Sequence, residues 1–202
     1  MSRTIYVSRP EMSHILAAMM PENRLIVRLC MATGLRISDA LEIKTAKLKR
    51  RMTIREIKTG KSRRVVIPAD IYNEMLSNAG RLWVFEGRCD WHKHRARQSV
   101  LKDIKKAAAV FQRTGAVRTG CVGTHTARKI AAVEAYQRGG LESAQKLLNH
   151  SDPAITLLYA LADQQSQPKK GTLYRPDWGA RAGKGIEPAA GSVTYRGARA
   201  HH

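Results

Sequence analysis

The chain has 202 residues, enough for one well-buried domain with an appendage. Its 36 Lys+Arg stand against 16 Asp+Glu, a net charge of +20; so basic a balance points to a polyanion, nucleic acid first and an anionic membrane surface second, because each phosphate neutralised releases condensed counterions. No apolar run approaches the roughly 18 residues of a bilayer-spanning helix, and MSRTIYVSRPEMSH lacks the apolar segment of a signal peptide. Cys30, Cys89 and Cys121 are odd in number and scattered, which suits a reducing compartment rather than a disulfide framework. With 5% aromatic residues, contact through a duplex phosphate backbone suits the charge better than base stacking.

In chain order, SRPEMSHILAAMM reads as a helix with Ser8 and Glu11 at capping-box spacing. PENRLIVRLCMATG is a second helix, opened by Pro21 and stopped by Gly34. RISDALEI is a short amphipathic turn or helix. MTIREI and RRVVIP are β-rich with KTGK between them, so residues 52–68 form a hairpin. ADIYNEMLSNAG is helical, WVFEG is a short apolar piece, and 95–114 is a basic helix. THTARKIAAVEAYQR is a helix closed by Gly139-Gly140, LESAQKLL is another, and SDPAITLLYALAD is a last one, capped by Ser151 or Asp152 with Pro153 in its first turn. The expected architecture is mainly α with a small antiparallel sheet (α+β), a domain over 1–163, followed by a basic Gly/Pro/Ala-rich tail over 164–202, flexible or set against a neighbouring protomer.

Several residues along this layout are suited to phosphate chemistry, and each also has an ordinary structural reading. Arg36 follows the Gly34 stop, either as a surface arginine or as a planar fork held by the turn for bidentate contact with a phosphate. Lys58, at the hairpin tip beside Lys61, Arg63 and Arg64, is either a turn lysine or one that gives a proton to a leaving oxygen. His125 and Arg128 are three apart and share a helix face, which is a solvated helix start or a proton-exchanging, oxygen-holding pair. His150 precedes a helix N-terminus that favours anions. Tyr159 lies roughly 9 Å along that helix from Pro153; its ring packs with Leu157, Leu158 and Leu161, or its hydroxyl is a covalent nucleophile. CDWHKH (89–94) has one Cys and two His without a spaced partner pair and falls short of a metal site.

Taken together and in order, ATGLRISDALEI, IKTGKSRRVVIP, HTARKIAAVEAYQRGG and LLNHSDPAITLLYA resemble the catalytic domain of the tyrosine recombinases, the phage-integrase family, over about residues 8–163. The resemblance implies that Arg36 and Arg128 clamp the scissile phosphate and that Lys58 protonates the 5′-hydroxyl leaving group, with Lys61 the alternative for that role. It implies His125 as an acid–base helper, His150 as a phosphate hydrogen-bond donor and Tyr159 as the nucleophile of a 3′-phosphotyrosyl bond. No metal and no nucleotide cofactor is implied, because the energy of the broken phosphodiester stays in the protein–DNA link. The partners implied are double-stranded DNA, three further copies in a DNA-bound tetramer, and accessory DNA-bending proteins, in the cytoplasm of a bacterial or phage-infected cell. Lys61, Arg63, Arg64, Arg95, Arg97 and Lys129 are expected to contact the DNA.

Two features depart from the family pattern. Asn149 stands where a glycine commonly precedes the second histidine; asparagine tolerates a left-handed backbone better than most residues. The chain also begins where the catalytic domain would, so either a minimal form without the N-terminal core-binding domain or a fragment of a longer protein is expected. A catalytically silent DNA-binding regulator, a type IB topoisomerase-like enzyme and a telomere resolvase are the alternatives.

Overall fold

The first helix forms where its capping residues stand. In the computed structural model, which describes residues 4–149 and 152–161 (backbone only at 155 and 158–160), α1 spans Arg9–Ala17. The Ser8 hydroxyl accepts from the Glu11 amide at 3.4 Å and the Glu11 carboxylate from the Ser8 amide at 2.7 Å, completing the capping box. Met12 and Ile15, one turn apart and fully buried, set this helix against α5 (Arg97–Arg113), which offers Val100 and Ile104 in return. Glu11 also holds Arg118 at 2.9 Å, tying α1 to the chain that follows α5.

Enclosure works to raise the Glu11 pKa, but hydrogen bonds from Arg118 and Ser8 outweigh it and bring the carboxyl from 4.5 to about 2. A carboxyl with a depressed folded-state pKa gives stability that is complete above its unfolded value and lost as pH falls through the folded one. Wild-type protein should therefore lose this contribution between pH 4.5 and about 2, while Glu11→Gln should lose it at all pH. Thermal melts at pH 7 and pH 3 check this: the gap between the two proteins should narrow in acid.

α2 (Pro21–Thr33) forms the centre of the core. Leu25, Ile26, Val27, Leu29 and Cys30 are each 2% exposed or less, so the helix is buried nearly all round. It lies on α6 (Thr124–Leu148), where Ala127, Ala131 and Ala135 are small enough for close helix approach and Ile130 fills the remaining space. Each fully buried Leu or Ile here contributes roughly 1.5–3 kcal/mol of transfer free energy. Gly34 ends α2 at φ 66°, a left-handed position that L side chains rarely adopt. A Cβ there would also stand 3.1 Å from the Leu147 side chain, so this glycine is needed both for the turn and for the approach of the end of α6.

α3 (Ile37–Leu41) follows at once, buried along Ile37, Ala40 and Leu41. The hairpin is shorter than its sequence pattern: β1 (Arg51–Arg55) and β2 (Ser62–Val66) pair antiparallel with Ile54 opposite Arg63, and residues 56–61 form the turn. Ile54 and Val65 enter the core, while Arg51, Thr53, Arg64 and Val66 occupy the exposed face. α4 (Ala69–Ser77) packs Ile71 and Met75 beside α2. α6 is interrupted by non-helical Gly139 and Gly140, so the two helices read from the sequence are two segments across a kink. α7 (Pro153–Ala160) is capped by the Asp152 carboxylate, which accepts from the Ala154 amide at 2.8 Å. The mainly helical architecture with one small antiparallel sheet is thus the one expected. Among the described residues no helix is long and apolar enough to cross a membrane. The tail over 164–202 lies outside the described residues.

Candidate active site

Five chain segments converge on a cleft of about 540 Å³: the α2–α3 junction, the hairpin turn, the start of α5, the start of α6, and the residues that end α6 and precede α7. Arg36, Lys58, Arg97, His125 and Arg128 all line it, together with Asn149 and Asp152. His125 and Arg128 do share one face of α6, as their spacing requires. So dense a set of cations around one hollow calls for an anion.

Each arginine is held by the protein before any ligand arrives. Arg128 is 2% exposed; its Nη1 donates to the Gly34 carbonyl and its Nη2 to the Leu148 carbonyl at 2.6 Å. Those are C-terminal carbonyls of α2 and α6, which carry the negative ends of the helix dipoles. Arg36 donates through Nη1 to Glu56 Oε2 at 2.6 Å and has Asp39 Oδ2 at 3.8 Å. The lysine-bearing turn is tied to the same carboxylates: the Ile57 amide donates to Asp39 Oδ1 at 3.0 Å and the Thr59 hydroxyl to Glu56 Oε2 at 2.7 Å. Lys58 itself is exposed and lines the cleft; Lys61, two residues past Thr59, is exposed but not among the lining residues.

Electrostatics single out His125. Enclosure by the cleft walls, then the charges of Arg97, Arg128, Arg36 and Lys58, push its pKa below the usual 6.5. The unfolded chain therefore takes up this proton before the folded one, so the group lowers stability as pH falls below 6.5 and has no such effect above it. At neutral pH the imidazole is uncharged and ready to accept a proton. A dianion in the cleft opposes the field of these cations, so orthophosphate should move the His125 titration upward. An NMR titration of its C2 proton, assigned with His125→Gln, checks this; an unmoved pKa would mean that the anion binds elsewhere.

The remaining expected contacts divide. Arg97 lines the cleft and its guanidinium donates to the Thr124 hydroxyl at 3.3 Å. Arg64 is exposed on the outer face of the hairpin and, with Lys47, Lys49 and Arg51, lines a second concavity of about 740 Å³. Arg63 requires a correction. Its side chain is 8% exposed, and it donates to the Leu147 carbonyl and, at 2.7 Å, to that of Thr33. A strand alternates its faces, so adjacent Arg63 and Arg64 cannot both point outward. Arg95 is partly buried and donates to Asn23 Oδ1 at 3.3 Å, and Lys129 donates to the Thr4 carbonyl; both are engaged by the protein rather than by the cleft. His150 lies outside the described residues, between Asn149 and Asp152, which both line the cleft. Asn149 takes the left-handed conformation (φ 54°) that the departure from glycine demanded. The Tyr159 backbone belongs to α7, and its side chain lies outside the description.

Two residues were missed in the sequence reading. Asp39 and Glu56 are 2% and 1% exposed, and both organise the cleft. Their signals were present: Asp39 is one helical turn past Arg36, and Glu56 is the one acidic residue of the otherwise apolar, basic and threonine segment RMTIREIK.

Comparison with known proteins agrees with this layout. The model of the phage integrase family matches residues 6–166. A curated relative, the probable integrase/recombinase YoeC of Bacillus subtilis (strain 168), is 30% identical over 141 residues, covering 66% of this chain and 74% of that protein. Among solved structures, the lambda integrase dimer bound to a COC′ core site superposes with a TM-score of 0.67 at 17% identity, over 84% of this chain and 51% of the integrase. The catalytic domain of bacteriophage HP1 integrase does so at 0.59 and 22%, over 79% of this chain and 89% of that domain. The chain thus spans about half the length of the lambda integrase chain that it resembles. Over its matched residues, with their helical core and two-stranded hairpin, the chain belongs to the phage integrase family.

Proposed function

We propose that the chain is a site-specific DNA recombinase that cleaves and rejoins duplex DNA through a 3′-phosphotyrosyl intermediate. The observation that carries this reading is the gathering of Arg36, Lys58, His125 and Arg128 around one cleft, from segments far apart in sequence. The Tyr159 hydroxyl oxygen attacks the scissile phosphorus and the P–O5′ bond breaks. Its proton passes to His125, whose pKa is held below the usual 6.5 by enclosure first and by the surrounding cations second, so that it is neutral at pH 7. Lys58 gives a proton to the departing 5′-oxygen. Arg36 and Arg128 hold the two non-bridging oxygens as charge develops on them, in donor positions fixed beforehand by Glu56 and by the Gly34 and Leu148 carbonyls. His150 donates to the same phosphate. Attack of a 5′-hydroxyl from a second strand runs these steps backward, so no bond energy is lost and no cofactor is called for.

Lys58 rather than Lys61 is assigned the acid role, since it alone of the pair lines the cleft. Duplex DNA, a tetramer of this chain on it and accessory bending proteins are the proposed partners, with the tail over 164–202 adding charge or meeting a neighbouring protomer. The basic concavity beside Arg64 extends the cationic surface available to the DNA backbone. The test is covalent capture. A library of duplexes nicked at varied positions loses the short 5′-hydroxyl strand on cleavage and traps the link. A complex that survives detergent, with the modified peptide mapping to Tyr159, is the expected result; an adduct on another residue, or none across the library, would overturn the reading.

A further inference from the structure

In a chain of net charge +20, two carboxylates, Asp39 and Glu56, lie buried in the cationic cleft's framework, and Glu56 makes the closer contact with Arg36. Glu56 is 1% exposed. Its Oε2 accepts from two sources, the Arg36 guanidinium at 2.6 Å and the Thr59 hydroxyl at 2.7 Å. Its Oε1, among the described residues, makes no hydrogen bond and stands 3.9 Å from Arg63 Nε. Its backbone closes the hairpin turn: the Glu56 amide donates to the Lys61 carbonyl at 2.9 Å and its carbonyl accepts from the Gly60 amide at 2.8 Å. One residue thereby touches the phosphate-facing arginine, the turn that carries Lys58, and the arginine that bridges the ends of α2 and α6.

Burial of a carboxylate is unfavourable unless it is paired and hydrogen-bonded, and here Oε1 has an ionic neighbour at 3.9 Å but accepts no hydrogen bond among the described residues. An Ile or Leu at this inward strand position would pack at no such penalty. What the carboxylate provides instead is orientation. By engaging Nη1, it fixes the guanidinium plane and leaves the other donors of the Arg36 fork to the cleft. By accepting from Thr59, it fixes the turn within the same frame, so the lysine tip and the arginine keep one separation.

We propose that Glu56 is a positioning residue of the active site, a buried carboxylate that couples the Arg36 fork to the lysine-bearing turn. The inference rests on the recombinase reading for its catalytic consequence and on the geometry of the cleft for its binding consequence. A second negative charge near the phosphate repels it, so Glu56 weakens anion binding while it organises the groups that act on the anion. Its removal should move affinity and rate in opposite directions, an effect that loss of structure alone does not produce.

The experiment compares wild type, Glu56→Gln and Thr59→Val as full chains. Glu56→Gln keeps shape and an acceptor for Thr59 but removes the charge. Thr59→Val removes a hydroxyl at the edge of the cleft that donates to Glu56 and accepts from the Lys61 amide, and leaves the Arg36–Glu56 pair in place. Orthophosphate affinity is read from the His125 C2 proton shift, and the covalent capture rate from the nicked duplex library. Glu56→Gln should bind orthophosphate about 3–10-fold more tightly, as loss of one screened like charge implies, and capture DNA at least about 10-fold more slowly. Thr59→Val should leave phosphate affinity within about 2-fold and slow capture by a similar factor. Wild-type capture rates in either variant, or weaker phosphate binding in Glu56→Gln, would overturn the proposal. If wild type itself captures no DNA, the recombinase reading fails by itself, and the orthophosphate comparison still decides whether Glu56 opposes anion binding at this cleft.

Discussion

Replacing Arg128 by Lys should slow covalent DNA capture by about 10²–10³-fold, the effect of removing one preorganised donor from a developing oxyanion. The side chain is 2% exposed and reaches two carbonyls, of Gly34 and Leu148, that belong to different helices. A planar fork can satisfy both and still present an N–H edge to a phosphate, whereas a single ammonium on a flexible stem cannot span the three. Overall duplex affinity should change by only about 3-fold, because most of it derives from the diffuse charge of the chain. Arg128→Met goes further and leaves both carbonyls without this donor, at about 1–3 kcal/mol for each one buried and unsatisfied. Thermal unfolding measures that loss. An Arg128→Met protein that melts with wild type would mean that the two helix ends are not held in this way.

The order of helices was legible because their boundaries are local. Ser8 with Glu11, Pro21 with Gly34, and the Gly139-Gly140 pair each act within one turn, and the chain obeys them. What sequence pattern could not convey was which ends meet. The Gly34 turn and the end of α6 come within van der Waals reach at Leu147, a contact across more than half the chain that no local rule encodes. Each strand of the hairpin ended two residues earlier than its β-rich residues suggested; at the turn, the Glu56 amide still donates to the Lys61 carbonyl, but the Glu56 carbonyl accepts from Gly60 and closes the turn.

The site was legible as a set of residue types in order, and the structure brings Arg36, Lys58, His125 and Arg128 to one cleft. It was less legible in its supports. Anionic chemistry points to cations in a sequence, whereas the carboxylates that orient them leave no such mark: a buried Asp or Glu gives no periodic signal and is rare. The same bias placed Arg63 and Arg64 together as DNA contacts, although the period of two in a strand separates them. A cation count along a hairpin says how much charge is present and nothing about which face holds it.

Arg63 and Arg64 make that difference measurable. Arg63→Met should destabilise the protein by about 3–5 kcal/mol, the usual range when one partner of a buried ionic contact is removed and the other stays behind. Glu56 would lose its 3.9 Å neighbour, and the Leu147 and Thr33 carbonyls their donor, in an environment where burial already presses the Arg63 pKa downward. For a chain of this size, that corresponds to a fall in Tm of roughly 6–20 °C. Arg64→Ala, on an exposed position of the outer face, should leave the Tm within about 2 °C, as surface changes usually do. The salt dependence of duplex binding should respond in the opposite pattern. Each phosphate contact adds about 0.9 to the slope of log affinity against log salt, so Arg64→Ala should lower the slope by that amount while Arg63→Met, measured well below its Tm, leaves it unchanged. A reduced slope in Arg63→Met with an unchanged Tm would return Arg63 to the DNA surface and remove the link between the hairpin and the end of α6. The ends of α2 and α6 would then be joined through Arg128 alone among these arginines.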